Sequence, residues 1–156
     1  MRIREAKKPE AERITRQLWL PLAREMEDKS EYNLLKEDLD LQQSIEHRRN
    51  GIREEGQYTF ISEGDELLGF ISATVKESPP IFQRKDKMKI NELYVRPEAR
   101  RRGIAKQLVD KVVEKAEKDG CSTVELEVDK PNTEAKDFYR SQGFEVVRER
   151  FCRKLE

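Results

Sequence analysis

The residues of this chain best suited to chemistry lie within positions 88–120. Ile90-Asn91-Glu92-Leu93-Tyr94-Val95 is followed by Arg96-Pro97-Glu98-Ala99 and then by Arg100-Arg101-Arg102-Gly103-Ile104-Ala105. Read as strand, loop and helix, the stretch places a glycine and an arginine triplet where a helix begins. Helix starts usually carry Ser, Thr, Asp or Asn, whose side chains accept from the free backbone N–H groups. None occurs between Arg96 and Leu108. The amides around Arg102, Gly103, Ile104 and Ala105 are therefore left for an outside acceptor. Gly103 permits close backbone approach, Ala105 adds little bulk, and the positive end of the helix dipole favours an anion. Arg100, Arg101 and Arg102 add charge, so the chemistry is that of a phosphate or pyrophosphate site. It is not a Walker loop, since no Gly-Lys-Ser/Thr follows, and it is not the dinucleotide G-x-G-x-x-G.

Several elements must position this site. Ile104, Ala105, Leu108, Val109, Val112, Val113 and Ala116 recur at helical spacing, with Lys106, Gln107, Asp110, Lys111, Glu114 and Lys115 on the other side. Gly120 supplies a left-handed cap. Residues 123–128 alternate and read as a strand, so strand, helix and strand imply a parallel crossover. The strand over 88–95 has a phase break. Met88 and Ile90 share one face under strict alternation, whereas Leu93 and Val95 share the other. Either the strand is buried on both faces, or a β-bulge near Asn91-Glu92 resets its register.

Before that strand, residues 2–6 alternate as a short strand. Ile14, Leu18, Leu22 and Met26 predict a helix over 9–28 that Pro21 should kink or split near Leu20. Trp19 and Leu20 beside the break belong to the core or line a cleft. Residues 30–39 form a polar connector, and a charged helix over 40–55 turns Leu41, Ile45 and Ile52 inward. Residues 58–61 and 67–75 read as an antiparallel hairpin turning at Glu63-Gly64-Asp65-Glu66, followed by a loop with Pro79-Pro80. Downstream, Pro131-Asn132-Thr133 opens a short helix bearing Ala135, Phe138 and Tyr139 and closed by Gly143. Residues 144–155 read as terminal β-structure, with Phe144, Val146, Val147 and Phe151 as apolar members.

At 156 residues one domain spanning 1–156 is expected. Charged residues make up 41% of the chain, yet 32 basic and 32 acidic side chains cancel, which argues against a dedicated nucleic-acid or membrane-surface binder. No apolar stretch approaches the roughly 20 residues that span a bilayer, and Met1-Arg2-Ile3-Arg4-Glu5 lacks the core of a secretory signal. Cys121 and Cys152 do not make a disulfide framework, so a reduced cytoplasmic setting is expected. Cys121 has no positioned histidine and reads as a structural thiol. His47, among Glu46, Arg48 and Arg49, reads as solvated, and no Cys/His spacing matches a metal site.

The run Arg100-Arg101-Arg102-Gly103-Ile104-Ala105 resembles the Q/R-x-x-G-x-G/A signature of the GCN5-related N-acetyltransferase (GNAT) family. Glu92-Leu93-Tyr94-Val95-Arg96-Pro97-Glu98 is similar to that family's lead-in strand, and Asn132, Ala135, Tyr139 and Gly143-Phe144 resemble its second signature. Ala105 stands where many members carry glycine, and the end after Phe144 is short for a last hairpin. The resemblance implies an α/β (α+β) fold: a mixed, mostly antiparallel sheet flanked by about four helices, with a β-bulge and a V-shaped splay at the cofactor site. It implies acetyl-coenzyme A, its pyrophosphate on the turn and amides from Arg100 through Arg101, Arg102, Gly103, Ile104 and Ala105 to Lys106. The pantetheine would pair with the backbone of Leu93, Tyr94 and Val95, and Asn132 would contact the cofactor or hold the gap's geometry. The implied reaction is direct acetyl transfer to a primary amine of a small molecule, peptide or protein. Tyr139 would be general acid and Glu92 general base, directly or through a water. Without those roles, Tyr139 is a core aromatic beside Phe138, and Glu92 is a salt-bridged or solvent-facing strand residue. A rival is a non-catalytic acyl-CoA sensor or subunit. Dimers are common in the family, so a homodimer is compatible with this reading.

Overall fold

A computed structural model describes residues 1–155. Five strands, β1 (Arg2–Glu5), β2 (Gln57–Glu63), β3 (Leu67–Lys76), β4 (Lys87–Val95) and β5 (Thr123–Glu125), lie side by side in chain order. The first three pairings are antiparallel and β4–β5 is parallel, as a helical crossover requires. Helices α1 (Ala11–Ile14), α2 (Leu20–Lys29) and α3 (Leu41–Gly51) precede the hairpin, α4 (Ile104–Lys118) forms the crossover, and α5 (Thr133–Ser141) follows β5. Among the described residues no helix is long and apolar enough to cross a membrane.

The strand alternation places a core on each face of the sheet. Phe60, Ile71, Ala73, Met88, Ile90 and Val95 pack with Ile104, Leu108, Val109, Val112 and Ala116 of α4. On the other face Ile61, Leu67, Phe70 and Tyr94 meet Ala11, Ile14, Leu18, Ile45 and Ile52. The phase break in β4 is a bulge: Ser72 pairs with Glu92 and Ala73 with Ile90, leaving Asn91 without a partner. That extra residue returns Leu93 and Val95 to the face of Met88 and Ile90. Gly69 is required opposite the end of β4, because a Cβ there would stand 2.7 Å from the Tyr94 carbonyl oxygen.

Three expectations are corrected. Pro21 does not split its helix, although the α geometry is interrupted just before Leu20, where a kink or split is expected. A π-helical turn over Thr15–Trp19 joins α1 to α2, with the Leu20 N–H donating to the Thr15 carbonyl, and this wider turn accommodates the proline's missing donor. The strand expected over 123–128 pairs only through Glu125. Residues 144–155 contain no strand, and Val146, Val147, Phe151 and Leu155 are 68%, 79%, 90% and 86% exposed. Adjacent Val146 and Val147 break the alternation and Arg148-Glu149-Arg150 follows, so no single apolar face develops. Phe144 alone keeps a core contact, edge-on to Tyr139 with centroids 5.5 Å apart.

Candidate active site

The expected anion cradle lies where the chain leaves β4. Ala99 is buried in the α4-side core and anchors the loop. Arg101 (φ 64°) and Gly103 (φ 78°) both take left-handed conformations, a backbone state that anion-binding nests also use. Gly103 is the N-cap of α4 and offers no side chain to cap it. Among the described residues, no backbone or side-chain acceptor meets the N–H groups of residues 101–106. The left-handed cost carried by Arg101, about 1–2 kcal/mol for an L-residue, is of the kind that persists at ligand clamps.

The three arginines do not act alike. Arg101 and Arg102 are exposed, and Arg102 Nη2 donates to the Glu98 carbonyl at 3.1 Å. Arg100 turns inward: its Nε donates to the Val95 carbonyl and its Nη2 to Glu25 of α2, each at 2.8 Å. Its guanidinium lies 5.5 Å from the Tyr94 ring centroid. Arg100 therefore ties the loop to β4 and α2, and its side chain is already engaged within the fold. Lys106 pairs with Asp110 along the outer face of α4 at 2.8 Å.

The splay is visible in the pairing. β5 follows β4 only at Lys87, Met88 and Lys89, so the β4 edge beyond the bulge has no strand beside it. Arg96 N–H donates to the Leu68 carbonyl, and alternation then turns the backbone groups of Tyr94 and Glu92 toward β3. Those of Leu93 and Val95 face the open gap. Of the three residues expected to pair with pantetheine, Leu93 presents a free N–H and carbonyl and Val95 a free N–H, its carbonyl being taken by Arg100, while Tyr94 contributes its ring beneath Arg100.

Glu92 points to the α3 side, into a cleft of about 340 Å³ lined by Trp19, Gln43, Ser44, His47 and Arg48. Arg48 Nη2 donates to Glu92 Oε2 at 2.8 Å, and Glu92 Oε1 has no protein partner among the described residues. Tyr139 packs with the α4-side core, its ring 5.1 Å from that of Phe138. Burial pushes its phenol up to about 12, so it stays protonated at neutral pH and available as a proton donor. Glu92 therefore lies on the α3 side of the sheet and Tyr139 on the α4 side. Asn132 N-caps α5, its Oδ1 accepting from the Ala135 N–H at 3.2 Å, and so sets the entry of the helix that carries Tyr139. Burial raises the Cys121 thiol above its ordinary value. Sequence reasoning missed Arg48 and the pairing of Glu25 with Arg100, contacts made across 44 and 75 residues of chain. It leaves Trp19 open between core and cleft; the indole packs on the core and also lines the cleft.

A bulged, splayed mixed sheet with an uncapped, glycine-led helix at the splay defines an acetyltransferase-type fold. The chain matches the acetyltransferase (GNAT) family over residues 16–144, and it belongs to that family. Over 64 residues it is 39% identical to an uncharacterized N-acetyltransferase of Methanocaldococcus jannaschii, a stretch covering 41% of this chain and 28% of that one. The chain spans about half or less of the length of the curated relatives it matches, from 28% to 52%. Among solved structures, a mutant of the BH1408 protein of Bacillus halodurans superposes with a TM-score of 0.86 at 19% identity, covering 100% of both chains. The aminoglycoside N-acetyltransferase AAC(6')-Iy, in complex with a bisubstrate analogue of coenzyme A, does so at 0.74 and 21%, covering 99% of this chain and 97% of that one. At these identities the likeness is one of fold.

Proposed function

We propose that this chain transfers an acetyl group from acetyl-CoA to a primary amine by direct attack. The observation that carries the proposal is the coincidence of three features. A bulge at Asn91, a β4 edge left open from that bulge onward, and six unmet amides at the start of α4 follow one another along a single stretch of chain. Acetyl-CoA supplies an acetyl group already activated as a thioester. The cradle fits its pyrophosphate, because amides of residues 101–106 face outward with no internal acceptor and no acidic side chain among them. Leu93 and the Val95 N–H fit an extended amide-bearing arm, since no strand pairs with them.

The remaining chemistry belongs to the chain's own side chains. Glu92 Oε1 accepts the proton that the incoming amine must lose, directly or through a water in the cleft. Arg48 holds the other carboxylate oxygen and so aims Oε1. On the far side of the gap the Tyr139 hydroxyl donates a proton to the departing thiolate, and burial keeps that proton in place beforehand. A cytoplasmic setting is part of the same proposal.

The test is thiol release and N-acetyl product formation from acetyl-CoA over a panel of small amines, polyamines and peptides. Product is expected with at least one class. Coenzyme A binding without turnover across the whole panel would overturn catalysis and favour the non-catalytic sensor.

A further inference from the structure

We infer that Arg48 and Glu92 form a zwitterion receptor, so that the acceptor is a small α-amino acid whose carboxylate sits on Arg48 while its amine faces Glu92. The inference deepens the proposed acetyl transfer and rests on it.

Two backbone irregularities shape the cleft from opposite sides. The π-helical turn over Thr15–Trp19 ends on Trp19, and the bulge at Asn91 delivers Glu92. Irregularities of both kinds are over-represented at functional sites. At about 340 Å³ the cleft is near the lower end of small-molecule sites, which run from about 300 to 1,000 Å³.

Charge narrows the class of ligand. The cleft holds one guanidinium and one carboxylate, 2.8 Å apart. A polyamine would bring several positive charges to a lining whose own charges cancel, and a simple amine would gain beside Glu92 what it loses beside Arg48. A molecule carrying both charges on one carbon meets both groups with the opposite sign.

Hydrogen-bond accounting points the same way. A guanidinium carries five N–H donors. Among the described residues that of Arg48 donates only to Glu92, and its Nε is fully buried without an acceptor. The side chain is 10% exposed and lies over the Phe70 ring at 5.0 Å, so it is held in place with donors unmet. A carboxylate on the Nη edge would accept from it in the fork geometry that guanidinium favours. Beside it, Glu92 Oε1 is left for the amine, with Gln43, Ser44 and His47 to bond the rest of the molecule and Trp19 to pack against it.

The experiment compares the proteinogenic amino acids, each against its carboxamide and its decarboxylated amine, in the full chain with acetyl-CoA. At least one amino acid should exceed both analogues in kcat/KM by about tenfold or more, the scale of one lost charge-assisted hydrogen bond. Arg48→Met should bring that ratio to about one, and Arg48→Lys, which keeps the charge without the fork, should leave a reduced preference. Trp19 is the single tryptophan, so quenching of its fluorescence reads amino-acid binding without turnover. Analogues equal to or better than every amino acid would overturn the inference. So would a preference that survives Arg48→Met in a variant with the wild-type circular dichroism spectrum. Arg48-dependent quenching by an amino acid with no turnover of any amine would sink acetyl transfer but keep the receptor. Turnover of amines with no carboxylate preference would do the reverse.

Discussion

Replacing Gly103 separates the backbone demand of the cradle from its ligand demand. Gly103 sits at φ +78°, and a Cβ built on it meets nothing within 4 Å. The cost to the free protein is therefore conformational and not steric: about 1–2 kcal/mol for an L-residue held left-handed. For a chain of this size each kcal/mol lowers the melting temperature by about 2–4 °C, so Gly103→Ala should melt about 2–8 °C lower. Gly103→Glu should lose somewhat less, because a carboxylate at a helix start recovers about 0.3–1 kcal/mol. Affinity should respond differently. The glutamate would occupy the space in front of the amides of residues 101–106 and repel the pyrophosphate. Losing two charge-assisted hydrogen bonds, at about 1.5–3 kcal/mol each, weakens coenzyme A binding roughly a hundredfold or more. Calorimetric titration with coenzyme A, paired with thermal melting of both variants, reads the two effects separately. Unchanged coenzyme A affinity in folded Gly103→Glu would refute the cradle, and a Gly103→Ala chain that fails to fold would refute the open-space reasoning.

Three further perturbations probe other parts of the molecule. Tyr139→Phe should lower kcat by about 10²–10⁴-fold with coenzyme A affinity little changed, as initial rates and titration will show. Because burial raises the phenol from 10 to about 12, the wild-type rate should show no alkaline loss from this group until the pH nears 12. Its contribution to folding stability falls as pH rises over the same interval, since the folded state then binds the extra proton. Glu10 lies beside Arg4, which holds its carboxyl below the ordinary range. Glu10→Gln should cost about 1 kcal/mol at neutral pH after solvent screening. That difference should vanish in urea titrations as pH falls through the lowered value, because only the ionised carboxylate contributes. Phe151→Ser should change stability by no more than about 0.5 kcal/mol, against about 3–5 kcal/mol for truncating a buried aromatic. A large loss in chemical denaturation would place residues 144–155 in a packed sheet after all.

What can be read in advance follows from how local each signal is. The α4 ridge, the missing cap before Leu108 and the phase break at Asn91-Glu92 are all contained within a few residues, so periodicity and capping rules reach them. On pattern alone the bulge and a doubly buried strand stand level, and the register opposite Ser72 and Ala73 decides between them. Pro21 announces a missing donor, but both a break and a π-helical turn satisfy that, and the choice depends on packing of Ile14 and Leu18 against the sheet. Arg100 looks like one of three equal cations until Glu25 and the Val95 carbonyl claim it. Arg48 is invisible as a site residue because α3 must first pack on the sheet for it to reach Glu92. For residues 144–155, two-residue periodicity suggests strands, but a strand needs an edge to pair with, and β5 offers only three residues of ladder.

Cofactor binding rests here on a particular set of backbone groups, so amide chemical shifts on titrating the isotopically labelled chain with coenzyme A test it most directly. The largest changes should fall on residues 101–106 and on Leu93 and Val95, with Tyr94 and residues 87–89 little affected because their amides are already bonded within the sheet. Shifts centred elsewhere, or saturating coenzyme A without a response at residues 101–106, would contradict the assignment of the site.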